Sequence, residues 1–130
     1  MSVAVVDAGL AIGWMQGRHR ALTKIDRLFR ACRNGQTELV ISVVNLAEVL
    51  LHTGELSRAT GVDAVALLTA SRVRIHQPDE AIARRVAKLR TSLADGFAAA
   101  TAQELGARLH TTDTELIRQL RGARLPITHY

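Results

Sequence analysis

Four acids draw attention: Asp7, Asp95 and Asp113, which stand where one stretch of the chain gives way to the next, and Glu48, inside an apolar run. Asp7 closes the apolar, β-branched run VAVVD at 3–7, Asp95 lies in SLADGFAAATAQEL, and Asp113 lies in HTTDTEL. An acid ending a buried strand needs a partner, because an unpaired charge out of water is costly. Carboxylates gathered together repel, and their pKa values rise unless a cation intervenes. No lysine or arginine adjoins Asp7 or Asp95 in sequence. A divalent metal resolves the repulsion, and all-oxygen ligation points to Mg²⁺ or Mn²⁺ rather than zinc. Such an ion activates a water and stabilises charge developing on a phosphoryl group. The chemistry that follows is metal-dependent hydrolysis of a phosphodiester.

The acids act together only if the elements carrying them bring them to one place. VAVVD reads as a buried strand and 8–16 as a short helix. Leu22, Ile25, Phe29 and Cys32 recur at helical spacing through 20–33, and Asn34-Gly35 ends that helix. ELVIS at 38–42 is a second strand, VVNLAEVLLHTG at 43–54 a helix stopping at Gly54, and 55–70 a helical stretch interrupted near Gly61. VRI at 73–75 is a third strand. Pro78 is expected to open the next helix, with Asp79 and Glu80 in its first turn. Ile82, Val86, Leu89 and Leu93 would form its apolar face. Asp95 starts a helix to about Leu105, ARLHT at 107–111 is a fourth strand, 113–121 a last helix, and LPIT at 125–128 an edge strand. Strands alternating with helices predict an α/β/α sandwich around a mainly parallel sheet.

A helix from Asp95 to Gly106 advances roughly 18 Å, and a strand from Ala107 to Thr111 returns roughly 16 Å. Asp95 and Asp113 therefore meet again at the carboxyl edge of the strands. Asp7, at the end of the first strand, lies at the same edge. Glu48 sits in the second turn of the helix after strand two, and helical side chains lean toward the helix N-terminus. The four acids converge on the crevice where open α/β sheets bind ligands. Each has a simpler role if taken alone. Asp95 reads as an N-cap, Thr112 and Glu115 have capping-box spacing around Asp113, and Glu48 has polar neighbours in Asn45 and His52. Convergence on one edge favours a shared site over separate caps.

The rest of the composition narrows the function classes. A length of 130 residues suits one domain. With 48% hydrophobic residues and only 3% aromatic, the core must be aliphatic. A net charge of +5 and a pI near 10.6 favour polyanions such as nucleic acid, although a merely basic soluble protein has the same charge. The lone Cys32 excludes an internal disulfide, suits a reducing cytosol, and falls on a helix's apolar stripe as a core thiol. No apolar run nears the roughly 18 residues of a membrane span, and the N-terminal stretch lacks a signal-peptide pattern. A soluble, cytoplasmic protein is expected. His19, His52, His76, His110 and His129 form no i,i+4 pair, which argues against zinc. No glycine-rich phosphate loop points to an NTPase. Arg18, Arg20 and Lys24 follow the Asp7 loop and suit RNA backbone contact. Arg84, Arg85, Lys88 and Arg90 read as a solvated helix face. Trp14 either stacks on a base or anchors a helix or dimer surface.

These residues resemble a PIN domain, in particular a VapC-type ribonuclease toxin of a toxin–antitoxin pair. The resemblance runs through VVDAGLAI, ISVVNLAEVL, SLADGFAAATA, HTTDTEL and GARLPI, essentially the whole chain. It implies that Asp7, Glu48, Asp95 and Asp113 are the family's acidic quartet. Asp7 and Asp95 would be direct Mg²⁺ or Mn²⁺ ligands, with Glu48 and Asp113 completing the site directly or through water. Thr112 would play a supporting part. The implied activity is endoribonuclease, and the implied partners are RNA, a second copy and a cognate antitoxin. An antitoxin arginine approaching the carboxylates would compete with metal. One departure stands out. The family usually has Ser, Thr or Asn two residues after the first Asp, and here that residue is Gly9. Gly9 is the one feature favouring a non-catalytic RNA-binding or protein-interaction module. A phosphoaspartyl phosphatase is disfavoured, because Asp7 is followed by Ala8 and Gly9 rather than by a D-x-D arrangement.

Overall fold

The computed structural model describes residues 2–130. In chain order they form β1 (Ser2–Val6), α1 (Ala8–Gln16), α2 (Leu22–Arg33), β2 (Thr37–Ser42), α3 (Val43–His52), α4 (Gly54–Thr60) and α5 (Ala64–Ala70). There follow β3 (Arg74–His76), α6 (Glu80–Leu89), α7 (Leu93–Leu105), β4 (Arg108–Thr111), α8 (Thr114–Gln119) and β5 (Ile127–His129). The strands make one sheet in the order β3-β2-β1-β4-β5, and every pairing is parallel. Each carboxyl end therefore opens on the same edge.

Successive strand residues face opposite sides of a sheet, and both sides of the central strands are apolar here. Ala4, Val6, Leu39 and Ile41 pack against Leu10 and Ala11 of α1, Ile25, Phe29 and Cys32 of α2, and Leu46 and Val49 of α3. Val5, Val40 and Leu109 face the other way, against Ala98, Ala99 and Ala102 of α7 and Leu116 of α8. The result is a three-layer α/β/α sandwich, as the alternation predicts. Phe29 is the largest fully buried side chain, and truncating it to alanine costs about 3–5 kcal/mol. The alanines of α7 bring that helix close to the sheet. Its Gly96 brings it close to α6, where an added Cβ would lie 2.9 Å from Cγ1 of Val86.

Several boundaries differ from the sequence reading, each for a local reason. Pro78 does not open α6. Asp79 is the N-cap, its side chain accepting a hydrogen bond from the Ile82 amide at 3.1 Å, so Pro78 lies outside the helix. Leu93 is not on the α6 face. Arg90 turns to φ 58 and closes α6, and Leu93 begins α7 with 70% of its surface exposed. Asp95 does not start its helix either, because Ser92 is the N-cap and Asp95 falls in the first turn. The helix after β2 stops at His52, and Gly54 begins α4. The 55–70 stretch breaks at Gly61, φ +72, before Asp63 caps α5. The third strand lies one residue later than VRI, and the edge strand two later than LPIT. Cys32 is buried, as expected. Among the described residues, no helix is long and apolar enough to cross a membrane.

Candidate active site

Asp7 is built into the junction of β1 and α1. It is only 3% exposed and caps α1, with Oδ1 accepting a hydrogen bond from the Leu10 amide at 2.9 Å. Its Oδ2 accepts from the hydroxyl of Thr111, the last residue of β4. Burial pushes the Asp7 carboxyl up to about 6. The bonds from Thr111 and Leu10 oppose that rise, and the charges of Asp95 and Asp113 add to it. The out-and-back path of α7 and β4 thus returns Asp95 and Asp113 to the neighbourhood of Asp7.

Asp113 caps α8. Its Oδ1 accepts from the amides of Glu115 at 2.9 Å and Leu116 at 3.2 Å, and its own amide donates to the Thr111 hydroxyl at 3.0 Å. Asp95 is half-buried, and its Oδ2 accepts from the Ser92 hydroxyl at 2.8 Å. Asp7 and Asp113 are thus N-caps themselves, whereas the N-cap read from sequence at Asp95 is Ser92 and the capping box expected from Thr112 is replaced by Asp113. Capping coexists with the cluster, because it engages one oxygen of Asp113 and leaves the other free among the described residues.

Glu48 is half-buried on α3 and makes no side-chain hydrogen bond among the described residues. Of the four acids it is the one not among the charges that act on Asp7, and Asn45 lies one turn before it on α3. Asn45 is 1% exposed, not part of a solvated face. Its Nδ2 donates to the Ala94 carbonyl at 2.9 Å, in the turn that carries Asp95, and its Oδ1 is buried without a partner. Asn45 therefore ties α3 to α7 beside two of the acids. The sequence held a signal for it: one amide inside the apolar run VVNLAEVLL, three residues before Glu48.

The hydroxyl that touches Asp7 belongs to Thr111, not Thr112. Thr112 bears on Gly9 instead. A Cβ placed on Gly9 would lie 3.0 Å from Oγ1 of Thr112 and 3.9 Å from Oδ1 of Asp7. The missing side chain at position 9 makes the room that the Thr112 hydroxyl uses.

Among the described residues, no three His, Cys, Asp or Glu side chains are gathered tightly enough to cage an ion by themselves. The donors present are hard carboxylate oxygens on one buried and three half-buried acids. That set fits a hydrated Mg²⁺-type ion held by one or two carboxylates with waters, and the buried Asp7 gains most from an adjacent cation.

The basic residues sort by location. Arg18 lines a surface groove with His52, Glu55 and Leu56, whereas Arg20 and Lys24 line another with Arg27, His129 and Tyr130. The cluster that is contiguous in sequence is thus split in space. On α6, Arg84 pairs with Glu80 at 2.9 Å and Arg85 with Glu104 at 3.1 Å, as befits a solvated face. Trp14 is a helix anchor: its ring stacks on Phe29 with centroids 3.9 Å apart, and its Nε1 donates to Asp26 at 3.4 Å. Burial, with the charge of Arg108, lowers His110 to about 4.

The PIN domain family model matches residues 4–122. No curated protein matches the chain in sequence. Solved structures share the fold. A toxin–antitoxin complex from Klebsiella pneumoniae superposes with TM-score 0.71 at 22% identity, covering 98% of each chain. A DNA-bound VapBC from Salmonella typhimurium gives 0.72 at 18%, covering 99% of this chain and 98% of that one. A VapC from Mycobacterium tuberculosis, described as a sarcin-ricin-loop-cleaving toxin, gives 0.64 at 16%, covering 88% and 93%.

Proposed function

The chain belongs to the PIN domain family, and from that premise we propose that it is a Mg²⁺- or Mn²⁺-dependent endoribonuclease, the toxin of a toxin–antitoxin pair. The observation that carries this reading is the buried Asp7, held by Thr111 and the Leu10 amide and raised to about 6 with Asp95 and Asp113 near enough to add to the rise. Asp7 and Asp95 would hold the ion, with Glu48 and Asp113 completing the site directly or through water. The bound cation supplies charge neutralisation and a more acidic water.

The chain's own groups do the remaining work. Thr111 and the first turn of α1 fix both oxygens of Asp7, so its orientation is set before anything binds. Capping commits Oδ1 of Asp113, so Oδ2 is the atom that accepts a hydrogen bond from the attacking water and orients it. Water then displaces a phosphodiester oxygen in line.

The solved toxin–antitoxin complexes with this fold support a cognate antitoxin as partner. Leu50 (39% exposed), Leu51 (79%), Leu56 (38%) and Val62 (48%) leave apolar surface on α3, α4 and the turn before α5, in keeping with a homodimer or antitoxin interface. A buried lone thiol is in keeping with the cytoplasm. A second reading, a catalytically impaired RNA-binding or protein-interaction module, draws on Gly9. The Thr112 hydroxyl beside that position weakens it.

Purified protein incubated with RNA in Mg²⁺, in Mn²⁺ and in chelator, beside Asp7→Asn and Asp95→Asn, tests the reading. Cleavage that needs the ion and both acids supports it. Cleavage unchanged in chelator or in both variants rules it out, and RNA binding without any cleavage favours the module.

A further inference from the structure

We propose that the groove between the start of α2 and the end of β5 holds the RNA backbone beside the cut, through Arg20, Lys24 and Arg27. This rests on the ribonuclease reading and adds where the substrate lies. The groove is about 410 Å³ and is lined by those three cations with Thr23, His129 and Tyr130. Lys24 and Arg27 are three residues apart on α2 and share a face, and Arg20 lies in the turn before that helix. All three are exposed. Among the described residues none is paired with an acid.

The groove is joined to the acidic site through β4. The Tyr130 amide donates to the Thr111 carbonyl at 3.0 Å, His129 is the register partner of Thr111, and the Thr111 hydroxyl holds Asp7. β5 is two strand positions from β1, about 10 Å at the usual strand spacing. The groove wall is firm, since the Tyr130 hydroxyl and Nδ1 of His110 are hydrogen-bonded at 2.7 Å. A polyanion reaching a cluster of carboxylates meets repulsion, and unpaired cations at the flank offset it. The basic groove on α6, of about 500 Å³, has less of that capacity, with Lys88 alone of its three cations unpaired among the described residues. Its Arg84 and Arg85 are already neutralised by Glu80 and Glu104, and it has no such link to Asp7. Arg18 lies in a different groove and is not part of this path.

The experiment measures binding of a labelled single-stranded RNA over a salt series, using the full chain in chelator and, separately, as Asp7→Asn. The triple variant Arg20→Ala, Lys24→Ala, Arg27→Ala is compared with Arg84→Ala, Arg85→Ala, Lys88→Ala, with circular dichroism checking that each folds. Each phosphate contact to a single strand contributes a slope of about 0.7 in log K against log salt. The first triple should lower the slope by about 2 and weaken binding on the order of tenfold or more, while the second changes little. Equal losses from both triples, or none from the first, overturn the groove and leave the nuclease reading intact. A wild type that cuts nothing in Mg²⁺ or Mn²⁺, yet loses binding only with the first triple, leaves the groove standing and removes the nuclease. Preference for an acidic peptide over RNA, with the same dependence on the first triple, would assign the groove to a protein partner instead.

Discussion

The two halves of the acidic site are built differently. At the β1–β4 corner, Asp7 is buried and both its oxygens are bonded, while Thr111 bridges it to the Asp113 amide. At the α3–α7 corner, among the described residues, Glu48 is half-buried with no side-chain bond, the Asp95 side chain is bonded only by Ser92, and the Asn45 amide reaches from α3 to α7. One half is wired in advance and carries a buried charge. The other is held by fewer side-chain bonds among the described residues. A site that was fully preorganised would set four carboxylates against one another in the empty protein, at high cost. Dividing the work confines that cost to Asp7.

The sharpest way to break the comparison is Asp7→Asn. Cleavage should fall about 10³-fold, some 4 kcal/mol of transition-state stabilisation, in single-turnover assays. Stability of the metal-free protein should move the other way. The folded pKa of Asp7 is raised from 3.8 to about 6. The contribution is therefore most favourable below pH 3.8 and is lost as pH rises through about 6. Two units correspond to about 3 kcal/mol at most. His110, lowered from 6.5 to about 4, acts in the opposite sense, its stabilising contribution being lost as pH falls through that window. The difference between wild type and Asp7→Asn in chelator isolates the acid. It should grow from pH 4 to 6 in denaturant melts, and added Mg²⁺ should shrink it.

Next in size is Thr111→Val, which removes the donor to Asp7 and the acceptor for the Asp113 amide. A loss of about 1–3 kcal/mol is expected, and the acidic limb of the pH–rate profile should shift upward because one of the two bonds favouring ionised Asp7 is gone. An unmoved limb would show that Thr111 only supports the fold. Asn45→Ala should cost about 1 kcal/mol of stability, the net worth of one hydrogen bond. Its effect on cleavage should be larger in proportion and partly rescued by raising Mg²⁺, since it loosens the half held by fewer bonds. The smallest change is Gly9→Ser, expected within about 1 kcal/mol in stability. Paired with Thr112→Ala it should recover what it loses alone, because the two compete for one space.

Much of this was legible in the sequence, for physical reasons. VAVVD and ELVIS are apolar on both faces, as parallel strands covered on both sides must be, and parallel strands put every carboxyl end on one edge. The position of Asp7 followed from its place at the end of the first strand, and the return of Asp95 and Asp113 toward it from helix and strand lengths. What the sequence hid was mostly contact at a distance. Thr111 and Thr112 are chemically identical neighbours, and only the pleat decides that the former faces Asp7. Asn45 looked like the flank of a polar face because its partner, the Ala94 carbonyl, lies 49 residues away. Arg18 and Arg20 are nearly adjacent in the chain, yet the turn at Gly17, φ +69, and the residues after it send them to different grooves. Pro78 misled by two residues and Leu93 by about a turn, because Asp79 and Ser92 are the better caps.

The chain has one tryptophan, and its place gives it a use. Trp14 rides on α1, the helix that Asp7 caps, and is stacked on Phe29 and bonded to Asp26 of α2, the helix that bears Lys24 and Arg27. It is thus a single indole between the helix that Asp7 caps and the helix that bears the groove's cations. Titrations with Mg²⁺ and with RNA can be read separately from its emission, with no dye attached and no residue changed.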